Sequence, residues 1–236
     1  MYVVTFMQIS IIIPTYNEAH YIATLVNYLY INSNVHLKEI IVANYGNDDN
    51  TTNSLKDTKV TVLQCKQKGR ACQMNEGATI ATGEILYFIH ADSLPPKSYC
   101  TEIIESVNKG YTCGRYKTKF ATNSAGLRFN AFFTNFDLLV CYGGDQSFFI
   151  TKKLFNSIGG FDEAYKIMED YNITIRAKQK GKYCIMKNTC TISTRKYDNT
   201  SWWRVMMANK KMISMYKANA EQQLMVDTYK KMLAKK

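Results

Sequence analysis

Four short apolar runs, separated by stretches of helical spacing, dominate the first ninety residues. Gln8–Ile13 (QISIII), Glu39–Ala43 (EIIVA), Lys59–Leu63 (KVTVL) and Glu84–Ile89 (EILYFI) are rich in β-branched residues and read as buried strands. Ile22, Leu25, Val26 and Leu29 recur at helical spacing between the first two. Arg70–Ala81 places small or apolar residues at Ala71, Met74, Ala78 and Ala81, a helix suited to close packing, and a further helix is expected over Pro95–Val107. Strands alternating with helices imply βαβ units and a parallel sheet. After residue 110 the spacing predicts a strand over Tyr111–Phe120, a Phe-rich helix over Leu127–Val140 and a strand over Gln146–Thr151. A helix over Asp170–Lys180, short strands at Tyr183–Met186 and Cys190–Thr194, and helix from Ser201 onward complete the pattern. The expected architecture is α/β: a mainly parallel central sheet flanked by helices in residues 1–200, with a basic helical extension at 201–236.

The chain has 236 residues, 46% hydrophobic and 21% charged, ordinary values for a globular protein. Met1–Asn17 is uncharged, but Gln8, Ser10 and Pro14 interrupt it, and it falls short of the ~18 apolar residues of a span. It lacks the basic start and small-residue cleavage site of a secretory signal. Seven cysteines, an odd number without C-x-x-C spacing, argue against a zinc cluster or redox dithiol and for reduced thiols in the cytoplasm. The net charge is +11, and residues 195–236 hold ten Lys/Arg against three acids. That tail favours an anionic partner or a solvated helical face. No nucleic-acid recognition motif accompanies it, so nucleic acid is not an expected partner.

Ligands of open parallel sheets bind beyond the carboxyl ends of the strands. Those ends carry Pro14-Thr15-Tyr16-Asn17-Glu18, Asn44-Tyr45-Gly46-Asn47-Asp48-Asp49, Gly69-Arg70-Ala71 and His90-Ala91-Asp92. Neither G-x-G-x-x-G nor G-x-x-x-x-G-K-[ST] is present, so neither a dinucleotide nor a P-loop site is indicated. Asp92 could hold a divalent cation, since hard cations take carboxylate and phosphate oxygens, or cap the helix near Pro95. Arg70, at a helix start, suits a phosphate or a nucleobase carbonyl, or is a surface arginine. His90 touches a phosphate or packs. Gln73 and Asn75 contact a ligand or line their helix. Asp145 and Gln146, after Gly143-Gly144, approach a ligand or turn into the next strand. Asp170, after Glu169, is a general base or a helix cap.

The strings IIIPTYNEA, GRACQMNEGA (Gly69–Ala78), HADSLPP (His90–Pro96), GDQSFF (Gly144–Phe149), GGFDE (Gly159–Glu163) and MED (Met168–Asp170) occur in this order. The chain resembles a family 2 glycosyltransferase of GT-A fold over roughly residues 8–210. The nearer resemblance is to a small bacterial subfamily with the pattern GRAxQMNxGA, HADSxLPP, GDQxxF, GGFxE and MED. The resemblance implies inverting transfer of a single sugar from a nucleoside diphosphate sugar, a UDP-sugar foremost. It implies Mn²⁺ or Mg²⁺ at Asp92, and Asp170 as the base that deprotonates the acceptor. Donor contacts are implied at Pro14, Thr15, Tyr16, Glu18, Asn44, Arg70 and Gln73. Further contacts are implied at Asn75, His90, Ala91, Asp145, Gln146 and Glu169, with Arg195 closing over the diphosphate. His90 replaces the first Asp of the commoner D-x-D signature, as in that subfamily. Asn44 stands where the family usually has an Asp that binds uracil, which changes the charge at the base and leaves the nucleotide open. No processive Q-x-x-R-W signature or membrane span is present. The acceptor is open, with a lipid-linked or small glycoside in view, and the basic C-terminus is a candidate for peripheral membrane contact. The rivals are a sugar nucleotidyltransferase, whose Gly-rich loop is missing, and a non-catalytic nucleotide-sugar binder.

Overall fold

The computed structural model describes residues 6–46, 50–56, 58–122, 124–143, 147–198 and 200–234, the side chain of Lys196 excepted. Among the described residues, eight strands form one sheet: β1 (Ile9–Thr15), β2 (Leu37–Asn44), β3 (Thr61–Gln64), β4 (Ile85–Phe88), β5 (Ser93–Leu94), β6 (Cys113–Phe120), β7 (Phe148–Thr151) and β8 (Tyr183–Ile192). Their order is β3-β2-β1-β4-β7-β6-β8-β5. The first four are mutually parallel, β7 and β5 run against their neighbours, and β6 pairs with β8 in parallel. The sheet is therefore mainly parallel, as expected, with antiparallel insertions in its second half.

The helices are α1 (Ala19–Ile31), α2 (Arg70–Ile80), α3 (Tyr99–Asn108), α4 (Ala125–Phe133), α5 (Lys152–Ser157), α6 (Glu169–Lys180), α7 (Arg195–Asp198), α8 (Trp202–Lys217) and α9 (Gln222–Leu233). Every residue of β1 is buried, because helices cover both faces of the sheet. Ile9, Ile11 and Ile13 pack with Leu25 and Leu29 of α1 and Ile103 of α3. Ile12 faces the other way, toward Ala71, Met74 and Ala78 of α2, Phe155 of α5 and Ile173 of α6. The four apolar positions expected on α1 are the four it buries. In α2 a Cβ at Gly77 would lie 2.6 Å from Ile12 Cγ2, so only glycine lets the helix sit this close to β1. A third cluster joins Met212 and Met215 of α8 and Met225 of α9 to Tyr142, Met168 and Tyr171, docking the C-terminal helices beside the start of α6.

Several boundaries differ from the expected ones for local reasons. The helix expected from Pro95 starts at Tyr99, because Pro96 disfavours helical backbone at Pro95 and neither proline supplies an N–H. The helix expected to reach Val140 stops at Phe133. There the buried Arg115 guanidinium takes the carbonyls of Thr134 and Phe136, each at 3.0 Å. The two short strands near 183 and 190 are one strand, β8, paired along its length with β6. The C-terminal helix breaks at Asn219, whose φ of 50° ends α8. Asn219 N–H donates to Tyr216 O and Ala220 N–H to Met215 O, a Schellman turn. All seven cysteines are free, and burial pushes the Cys65, Cys113 and Cys190 thiols up to about 12.

The Gly159–Glu163 motif serves as a frame between α2 and α6. Asn75 donates to Phe161 O at 2.8 Å and accepts from Phe161 N–H at 2.9 Å. Arg176 of α6 donates to Ile158 O at 2.6 Å and to Gly160 O at 2.7 Å. Gly160 has φ 67°, and a Cβ there would meet Asn75 Oδ1 at 2.7 Å and Phe155 at 3.0 Å. Gly159 has φ 74° with open space around it. Gly160→Ala therefore combines left-handed strain with overpacking, about 2–4 kcal/mol together, whereas Gly159→Ala incurs only the strain, about 1–2 kcal/mol. In thermal unfolding at about 2–4 °C per kcal/mol, Gly160→Ala is expected to lower Tm by about 4–16 °C and Gly159→Ala by about half of that. Equal shifts would show that the Asn75 frame contributes nothing.

Candidate active site

β1 and β4 pair only as far as Ile12 and Phe88. Ile12 C=O accepts from Ile89 N–H, and Thr15 C=O accepts from Tyr45 N–H, so Pro14 faces the β4 side. Its missing N–H falls where no strand remains to receive it, which is where a proline fits inside a sheet. The two strands part there, and a cleft of about 210 Å³ opens between them. It is lined by Pro14, Thr15, Tyr16 and Glu18 after β1, Arg70 and Gln73 from the start of α2, and His90, Ala91 and Asp92 after β4. All nine are residues singled out from the sequence.

The cleft carries a defined charge arrangement. Arg195, three residues past the end of β8, reaches in and bridges two carboxylates. Its Nη1 lies 3.2 Å from Glu18 Oε2 and its Nη2 3.4 Å from Asp92 Oδ2. The guanidinium also stacks 4.0 Å above the Tyr21 ring. Burial disfavours this charge, but the hydrogen bond and charge of Glu18, with Asp92, outweigh it and hold Arg195 above the usual arginine range. Ser193 N–H donates to Asp92 O at 3.0 Å, tying the end of β8 to the turn that carries Asp92.

Opposite this bridge, α2 presents its N-terminus, with Arg70 in the first turn. Arg70 Nε approaches Glu169 Oε1 at 2.7 Å; the Arg70 side chain is 45% exposed and the Glu169 side chain 1%. Neither Glu169 oxygen receives a directed hydrogen bond among the described residues, so the contact is an ion pair off the N–H direction. Glu169 follows Met168, a non-glycine residue at φ 67°, a conformation that costs roughly 1–2 kcal/mol. That backbone turns Glu169 inward and leaves Asp170 half-exposed in the first turn of α6, where the helix N-terminus favours a carboxylate.

Other expected site residues hold the frame. Gln73 donates from one amide nitrogen to Thr15 O at 2.7 Å and Ala43 O at 2.8 Å, pinning the ends of β1 and β2 together. Asn44 is 2% exposed, accepting from Thr15 Oγ1 at 2.9 Å and donating to Gly46 O at 3.0 Å. It lies behind the cleft wall, not on it. The Asn75 amide is engaged by the Gly159–Glu163 loop, away from the cleft. Asp145 and Gln146 lie outside the described residues, as do Asn47, Asp48 and Asp49.

Three residues that the sequence did not single out stand beside the cleft. Tyr45 stacks on Tyr16 at 6.3 Å between centroids, Lys68 Nζ sits 4.3 Å from the centre of the Tyr16 ring, and Tyr21 supports Arg195. Their signals were weak: Tyr21 is one helical turn past Glu18, and Lys68 directly precedes Gly69. A stacked tyrosine pair at two strand ends offers a flat apolar face to a ring such as a base.

The Glu18–Asp92 pair is chemically suited to a divalent cation, since it already holds a positive group between two carboxylate oxygens. No three His, Cys, Asp or Glu residues converge on one point among the described residues. Any cation there would take its remaining ligands from a bound phosphate or water.

The sequence model of glycosyl transferase family 2 matches residues 10–166. A search of curated proteins found no match. Among solved structures, the fold is similar to residues 1–349 of Staphylococcus aureus TarS, at TM-score 0.66 and 17% identity over 96% of this chain and 71% of that one. It is similar to the mannosyltransferase PcManGT from Pyrobaculum calidifontis, in complex with GDP-Man and Mn²⁺, at TM-score 0.68 and 16% identity over 90% of this chain and 64% of that one. Glucosyl-3-phosphoglycerate synthase from Mycobacterium tuberculosis, with Mn²⁺, UDP-glucose and phosphoglyceric acid, matches at TM-score 0.62 and 13% identity over 86% of this chain and 78% of that one. A βα sheet with its cleft at the fork of β1 and β4, and a family match over two thirds of its length, place this chain in glycosyl transferase family 2, as a glycosyltransferase of GT-A fold.

Proposed function

We propose that the chain transfers a single sugar, with inversion, from a nucleoside diphosphate sugar to an acceptor hydroxyl. UDP-sugars are the first donors to test. The observation that carries this reading is the cleft at the fork of β1 and β4, where Arg195 stands between Glu18 and Asp92. Donor complexes of the fold neighbours, with GDP-Man and with UDP-glucose, support a nucleoside diphosphate sugar. The stacked Tyr16–Tyr45 pair is the proposed platform for the base. Arg70 and the first N–H groups of α2 face the cleft and suit the diphosphate.

Mn²⁺ or Mg²⁺, bound through Asp92 with Glu18 beside it, would neutralise charge on the leaving diphosphate. Arg195, which holds Glu18 and Asp92 here, would be available to phosphate oxygen once those carboxylates hold a cation, and its guanidinium can contact phosphate at two points. Asp170 is the proposed general base, taking the proton of the acceptor hydroxyl as that oxygen attacks the anomeric carbon. The Arg70–Glu169 ion pair links the donor-side helix to the first turn of α6, the turn that carries Asp170. Buried neutral thiols suit work in a reducing cytoplasm. No helix among the described residues is long and apolar enough to cross a membrane.

Two measurements test this reading. In thermal-shift titrations, UDP or GDP with Mn²⁺ should raise Tm, by about 2.7 kcal/mol of added stability at 100 times Kd. Asp92→Ala should remove the Mn²⁺-dependent part and keep the nucleotide-only part. Absence of any shift at millimolar nucleotide, across all bases, would sink the donor assignment. In turnover assays Asp170→Asn should lower kcat about 10²–10⁴-fold while donor affinity stays within about twofold. A parallel loss of binding and turnover would assign Asp170 to the architecture of α6 instead.

A further inference from the structure

Outside the cleft, the Phe-rich segment after β6 forms an exposed surface that the site does not explain. Phe129, Phe132 and Phe133 stand on α4, and Phe136 follows in the turn after it. Three of the four rings are open to solvent, with Phe129 55% exposed, Phe132 58% and Phe136 46%, while Phe133 is half-buried. The rings instead contact one another edge to face, Phe129 on Phe133 at 4.9 Å, Phe133 on Phe132 at 5.8 Å and Phe132 on Phe136 at 5.5 Å. Leu138 and Val140 continue the exposed apolar strip. Trp202 lies against Gly126 in the first turn of α4, and Trp203 beside it is 69% exposed. Contiguous exposed apolar surface of this kind marks an interaction site.

The charges around it are of one sign. A groove of about 360 Å³ runs between α4 and β6, bordered by Lys117, Lys119 and Arg128 beside Phe120 and Phe132. None of these three cations has a carboxylate partner among the described residues. Between Cys113 and Gly143 the only acid is Asp137, and Lys178 neutralises it at 2.5 Å. Phenyl rings and an indole ringed by unpaired cations match a bilayer interface, with apolar acyl boundary below and anionic headgroups at the rim. The face also lies over β6, in the sheet that carries the cleft. β6 and β8 end side by side at Phe120 and Ile192, and Phe120 meets Tyr197 of the Arg195 helix at 6.0 Å.

We propose that the α4 face, Phe129, Phe132 and Phe136 with Lys117, Lys119 and Arg128, docks the enzyme on an anionic lipid bilayer with its cleft at the membrane surface. The proposal rests on this surface alone and holds whatever the donor is. It assigns the membrane contact to α4, whereas the sequence nominated the basic C-terminal segment.

The test is co-sedimentation with vesicles of phosphatidylcholine alone or mixed with phosphatidylglycerol. The wild-type chain should bind the anionic vesicles at low salt, bind neutral ones far less, and release in high salt. Both tryptophans of the chain sit at 202–203, so bound protein should show quenching of Trp emission by brominated lipid. The triple change Phe129→Ser, Phe132→Ser, Phe136→Ser alters exposed groups only and should leave Tm and the nucleotide-induced shift in place. It should cut vesicle affinity by roughly fivefold per ring lost, on the order of 100-fold together. Lys117→Gln, Lys119→Gln and Arg128→Gln should together weaken binding by about 100-fold, at about fivefold per cation. Three results overturn the proposal. One is no binding to anionic vesicles at low salt. Another is binding that survives the triple Phe change but disappears when residues 226–236 are removed. The last is concentration-dependent self-association that the Phe changes abolish, which would give the face to a second copy of the chain.

Discussion

The fork between β1 and β4 is the constraint on which the site depends. Four parallel strands alone would continue the sheet and leave only a shallow crevice. Here β4 stops at Phe88 and β7 pairs on its far side in the opposite direction. β1 runs three residues further, through Pro14, without a partner on the β4 side. Gln73 then matters out of proportion to its size. One amide nitrogen binds the carbonyls of Thr15 and Ala43 and keeps β1 and β2 joined while β1 and β4 separate. A buried donor satisfied twice at this point fixes which pair of strands opens.

Charge is distributed around that fork in two groups, a triad and a pair. Arg195 answers Glu18 and Asp92 on one wall, and Arg70 answers Glu169 on the other. The first group is partly exposed and exchangeable, so its partners can be replaced by ligand charges at modest cost. The second has a fully buried carboxylate, and breaking it would strand a charge. The asymmetry suits a site with one wall that rearranges around a ligand and another that keeps the α6 terminus in place.

Much of the fold was legible because the N-terminal half follows one rule per element. Period-two burial is absent in β1 and β2, helical spacing is clear in α1, and each strand end carries its polar cluster. Eight of the nine cleft-lining residues stand in the strand-end strings, and the ninth, Gln73, was nominated from its helix and from the family resemblance. What was not legible came from tertiary contacts. Asn44 is polar and at a strand end, yet Thr15 and Gly46 consume its amide and bury it. Asn75 belongs to a motif, but the motif frames the Gly159–Glu163 loop. Tyr45 and Lys68 gain meaning only from Tyr16, 29 and 52 residues away in sequence. The end of α4 was set by Arg115, on a strand ten residues before the helix begins, which no local pattern could announce.

The continuity of β8 has a kinetic consequence. Seven of the ten residues of β8 are paired to β6 on either side of a bulge, Ser193 is bonded to the turn bearing Asp92, and Arg195 begins a short helix directly afterward. The guanidinium is therefore mounted on the sheet itself rather than on a mobile lid. Handing Glu18 and Asp92 over to another cation requires rotation about side-chain bonds, which relaxes in picoseconds to nanoseconds for partly exposed groups. Exchange of partners at Arg195 is then a side-chain event that leaves β8 and its pairing to β6 in place.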